Sequence, residues 1–157
     1  MTRPIAFAAA VVLVFVGIAN AEEQTDSGYA LYMTVHSFET EKDDGSRSIR
    51  VAYRGFNVSE NESSPLYNTV MSCDMTNIRD ASGARQFEHF TCNALHPDGD
   101  EVFLGAVYKE SEPHVFKFIG GTGKWEGISG TILNTAEPIN WPDDSIQSDW
   151  SITWALP

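Results

Sequence analysis

The sequence predicts an all-β domain, either a barrel or a sandwich, on three observations. Eight short runs rich in aromatic and β-branched residues alternate apolar with polar positions. Clusters of Gly, Pro, Asp, Asn and Ser separate those runs, and no helical period appears after residue 21. The densest cluster, residues 118–131, is rich in glycine and sits between two apolar, β-prone runs, as a sharp turn between crowded strands requires.

Residues 1–21 read as an export signal. Arg3 supplies a positive start, residues 5–18 an apolar run, and Ala19-Asn20-Ala21 a small-x-small cleavage site. Cleavage after Ala21 leaves residues 22–157 as a single domain, large enough to bury a core. An uncleaved anchor is the alternative, but the run is short for a span. The formal charge of −12 grows more negative once Arg3 is removed. Such a surface repels nucleic acid and anionic membranes, so neither is expected as a partner.

The first run spans residues 28–38, after a loose polar segment 22–27. It sets Leu31, Met33 and Val35 on one face and Tyr32, Thr34 and His36 on the other. Residues 41–45 then turn the chain. Residues 47–58 alternate again, with Ile49, Val51 and Tyr53 opposed to Arg50 and Arg54. A polar loop, 57–65, leads to a third strand over 66–75, which carries Cys73. A turn region over 77–86 precedes the fourth strand, 87–95, which carries Cys92. In an exported chain these only two cysteines are expected to form one disulfide. Strands five and six follow over 101–109 and 114–119. Residues 127–135 make the seventh and 146–156 the last. There Ile146, Ser148, Trp150, Ile152 and Trp154 share one face.

The turn at 118–131 contains Gly120-Gly121-Thr122-Gly123-Lys124-Trp125, followed by Gly127 and Gly130. It is not a phosphate-binding loop. That motif needs a glycine where Phe118 stands and Ser or Thr where Trp125 stands. The spacing instead resembles the Gly-Gly-Thr-Gly-Lys-aromatic-x-Gly-x-x-Gly signature of the allene oxide cyclase and dirigent-like barrel proteins. The resemblance covers residues 118–131. It implies an eight-stranded antiparallel β-barrel with the signature in a late hairpin. Related barrels often associate, which leaves a homo-oligomer open. In the cyclases an acidic residue and an asparagine on an early strand act on a fatty epoxide. Here the first strand offers Thr34, His36 and Ser37 and no such pair, so no catalytic residue is carried over.

Other constellations are weak. His36, His89, His96 and His114 fall on separate strands without metal-ligand spacing. Asp98-Gly99-Asp100 lacks the remaining ligands of a calcium loop and reads as a hairpin turn. No metal or cofactor is therefore expected. Asn57-Val58-Ser59 and Asn61-Glu62-Ser63 fit the glycosylation pattern, but the short leader and compact chain look bacterial, periplasmic or secreted, and no modification is expected. Carboxylates are abundant and uninformative.

Aromatic side chains offer the better lead. Tyr32, Tyr53, Trp150 and Trp154, with His36, are candidates to line an interior cavity. Eight strands leave an interior just wide enough for side chains, so a filled barrel is the expectation to test. Three functions follow: a carrier of a small hydrophobic ligand, which we favour, a cyclase- or isomerase-like enzyme, or a filled structural barrel. A hollow interior separates the first two from the third. A titratable group with a hydrogen-bonding partner inside the cavity separates the enzyme from the carrier.

Overall fold

The computed structural model describes residues 21–108 and 115–157. Residues 1–20 of the expected leader, and His114, lie outside these residues. The strands are β1 (Gln24–Glu41), β2 (Arg47–Val58), β3 (Val70–Arg79), β4 (Arg85–Leu95), β5 (Glu101–Tyr108), β6 (Val115–Gly121), β7 (Ser129–Asn134), β8 (Ile139–Asn140) and β9 (Ser145–Ala155). Among the described residues a single 3-10 turn, Gly123–Trp125, interrupts them. Among the described residues no helix is long and apolar enough to cross a membrane.

Each strand pairs antiparallel with its sequence neighbour from β1 to β7. β7 and the short β8 then occupy successive stretches of one edge of β9. The other edge of β9 pairs with β1 from Gln24↔Trp154 to Met33↔Ser145, and this closes an eight-stranded antiparallel barrel. Closure removes the exposed edges that an open sheet would offer for aggregation.

Closure also explains where local reading goes astray. Residues 24–27 are polar yet form a strand, because β1 must reach β9 as well as β2. The alternation of β1 is legible, but its apolar set faces outward: Met33 and Val35 are exposed, whereas Ala30 is buried. A bulge between Thr34 and His36 shifts the register with β2. Residues 66–69 are not strand. Ser64, Leu66 and Thr69 are buried in a segment that plugs one end of the barrel. The turn after β3 begins only at Asp80, where the carboxylate accepts hydrogen bonds from Ser82 and Ala84 N–H. Asn77 is therefore a strand residue facing inward.

β9 presents Ser148, Trp150, Ile152 and Trp154 inward, as its alternation predicts. Gly28 makes the Trp150 position attainable, because a Cβ there would lie 2.6 Å from the indole ring. Trp154, Trp125, Leu66, Ala94, Val102 and Phe118 belong to the main apolar cluster at the plugged end. Cys73 and Cys92 stand directly opposite each other on β3 and β4 and form a disulfide that faces the interior.

The glycine-rich signature closes the same end. Thr122 Oγ1 accepts a hydrogen bond from Glu101 N–H at 2.8 Å. Asp100 accepts from Lys124 N–H, and the Lys124 ammonium reaches Asp98 at 2.5 Å. Gly123 adopts a positive φ of 53°, and a Cβ there would collide with the Asp100 carboxylate. This arrangement buries Trp125 edge-on against His96. The Asp-Gly-Asp turn and the signature are thus one structural clamp.

Candidate functional site: a cavity inside the barrel

The barrel is not filled. A cavity of about 340 Å³ occupies its interior and reaches the end where β3 finishes and β9 begins, at Arg79, Asn134, Pro138 and Ile146. This corrects the expectation of a packed interior. The reason is a shortage of bulk on facing strands: Ala30, Cys73, Cys92 and Ser148 all point inward, and none can reach the opposite wall.

Its floor is apolar, built from Leu66, Met71, Leu104, Ile132 and the disulfide. An aromatic band lies above it. Tyr32 meets Tyr53 edge-on at 5.6 Å, Tyr53 stacks on Phe90 at 6.4 Å, and Phe90 meets Phe116 at 5.4 Å. Rings at these separations support one another and present a continuous apolar wall.

One stretch of the wall is polar. Asn77 and Glu88 are paired positions on β3 and β4, and Glu88 is paired with Tyr108 on β5. All three side chains are buried. The Asn77 Nδ2 donates to Glu88 Oε2, and the Arg85 guanidinium lies 3.4 Å from Oε1. Arg85 also sits over the Tyr108 ring. A buried carboxylate is tolerable only with such partners.

The phenols respond to this setting. Burial first, and then the neighbouring Tyr53, push Tyr32 up to about 12. Burial and then the Glu88 charge push Tyr53 upward. Tyr108 is pushed upward by burial and Glu88, against the opposing effect of Arg85. All three phenols therefore stay protonated at neutral pH and can act as hydrogen-bond donors.

The residues singled out from sequence separate into groups. Tyr32 and Tyr53 line the cavity. Trp150 and Trp154 are buried in the apolar cluster and do not line it. His36 follows the β1 bulge and is exposed, outside the cavity. None of the signature residues from Gly120 to Gly130 touches it. His96 is buried with Nδ1 2.9 Å from Asp98 Oδ1 and its ring against Trp125. Among the described residues no group of three or more His, Cys, Asp or Glu could hold a metal ion. Asn57 is buried against the cavity and donates to Thr69 Oγ1 at 2.9 Å, so its sequon is inaccessible in the folded chain.

Sequence reading passed over Glu88 and Asn77, although a signal existed. Cys73, Met75 and Asn77 share one face of β3, and Glu88, Phe90 and Cys92 share one face of β4. A disulfide between directly opposite cysteines fixes the register, which then sets Asn77 against Glu88.

No family model and no curated protein matches the sequence. Among solved structures, one similar chain is a pyocyanin demethylase, at 12% identity and a TM-score of 0.43, covering 79% of this chain and 98% of that one. A likeness of that strength bears on neither family nor function.

Proposed function

We propose that this is an exported barrel that binds a small, largely apolar ligand in its interior. The observation that carries the reading is the cavity itself. Its volume of about 340 Å³ falls in the usual range of small-molecule sites, with an apolar floor, an aromatic band and few polar groups. Export rests on the leader-like residues 1–21 and on the Cys73–Cys92 disulfide, which suits an oxidising compartment. Native mass spectrometry of the protein purified from its own cell envelope tests both points. The expected species begins at Glu22 and carries a small apolar molecule that is lost on unfolding. A species with no bound molecule that also fails to bind a hydrophobic dye would sink the reading.

A second reading has its own support. Glu88 is a titratable group held by Asn77 and Arg85 in the cavity wall, the feature that distinguishes an enzyme from a carrier. In an acid–base isomerase the Glu88 carboxylate would take a proton from one carbon of the substrate and return it to another, with no net change in composition. Replacing Glu88 with Gln separates the two. A carrier keeps its ligand in the variant, and an isomerase keeps binding but loses turnover.

A further inference from the structure

Two buried polar atoms in the cavity wall have no hydrogen-bond partner among the described residues. They are Asn77 Oδ1 and Ser148 Oγ, on side chains only 2% and 4% exposed. Both side chains line the cavity. Buried polar groups are almost always satisfied, so such atoms call for an explanation.

The chemistry of the neighbours shows why they are left over. A carboxylate only accepts, so Asn77 must turn its amino group toward Glu88, and its carbonyl oxygen remains unused. Ser148 is paired with Ala30, which has no polar side-chain atom, and Ala30 is paired with Asn57. The Asn57 amino group is already given to Thr69. Asn77 and Ser148 stand on β3 and β9, separated around the barrel by β1 and β2, so they address the cavity from different walls.

We propose that these two atoms are the polar contact points of the bound ligand. This rests on the ligand-binding reading above and narrows it to a chemical class. The ligand is an uncharged, compact ring compound with at least one hydroxyl. That hydroxyl donates to Asn77 Oδ1, and a second polar group meets Ser148 Oγ. The aromatic band of Tyr32, Tyr53, Phe90 and Phe116 takes the ring body. The Glu88 carboxylate beside Asn77 disfavours an anionic group at the same point.

Calorimetric titration with 2,6-dihydroxynaphthalene and 2,6-dimethoxynaphthalene tests this. The two share one ring body and differ in hydrogen-bond donors. The wild type should bind the diol at least about tenfold more tightly, the effect of one well-made buried hydrogen bond. Asn77→Leu should weaken the diol by about fivefold or more and leave the dimethoxy compound unchanged, because a carbonyl oxygen only accepts; Ser148→Ala should weaken the diol by about fivefold or more. Ser148→Ala removes a single oxygen and is expected to fold even if Asn77→Leu does not. Equal binding of both compounds, or a diol affinity untouched in Ser148→Ala, overturns the proposal and leaves the two atoms to ordered water, while the carrier reading stands. If neither compound binds to the folded wild type, the proposal also falls, and the carrier reading is decided separately by the native mass spectrum and the hydrophobic dye.

Discussion

Removing the disulfide is the perturbation whose cost follows most directly from the fold. Cys73 and Cys92 are 19 residues apart and join β3 to β4 at directly opposed positions. Closing a loop of that size in the unfolded chain corresponds to about 3 kcal/mol of stabilisation. For a domain of this length the loss converts to a fall of about 10 °C in Tm. A double variant, Cys73→Ala with Cys92→Ala, also takes two sulfur atoms out of the cavity wall. Reduced wild-type protein keeps that volume and loses only the crosslink. Urea unfolding of oxidised wild type, reduced wild type and the double variant therefore separates the two effects. The reduced protein should lose about 3 kcal/mol and show a slightly larger m-value, because its unfolded state is no longer restrained. The double variant should lose somewhat more. A loss below about 1 kcal/mol in both would refute the argument that this bond works by restraining the unfolded chain.

Three further outcomes are expected. Asp98 is held down to about 2, chiefly by the Lys124 hydrogen bond. Because its folded value lies below the unfolded one, its contribution is complete above about pH 4 and is lost as pH falls toward 2. Asp98→Asn should flatten that acid limb in a pH series of thermal melts, and an unchanged limb would remove the clamp from the account. Gly123→Ala forces a side chain onto a positive φ and against Asp100, and should cost about 2 kcal/mol or more by chemical denaturation. A substitution that proves neutral there would show that the clamp can relax. Tyr32, raised to about 12, should ionise above the range of free tyrosine in an alkaline absorbance titration, and stability should fall as pH rises from about 10 to 12. Ionisation of every tyrosine near 10 would contradict the burial of its phenol.

The sequence by itself determined the local features of this protein. The alternation of residues 146–156 named the inward face of β9, and the Arg50 and Arg54 pattern gave the outward face of β2. The two cysteines announced their pairing, and the glycine-rich turn announced a crowded late hairpin. Each of these is a short-range property, read from side-chain period, backbone freedom or oxidation chemistry over a few residues. The Tyr32 face of β1 was already marked for the interior, and only the tertiary structure decided that a bulge follows Thr34 and that His36 beyond it is exposed. It also decided that residues 24–27 are strand and that residues around Leu66 plug the barrel. The hollow interior belongs to the same class. Whether a barrel is filled depends on the volumes of inward side chains summed over eight strands at one height, and that height is set by register and tilt. The pairing of Asn77 with Glu88 lies between the two. Its residues and phase were written in the chain, but only the closed sheet placed them on a cavity wall.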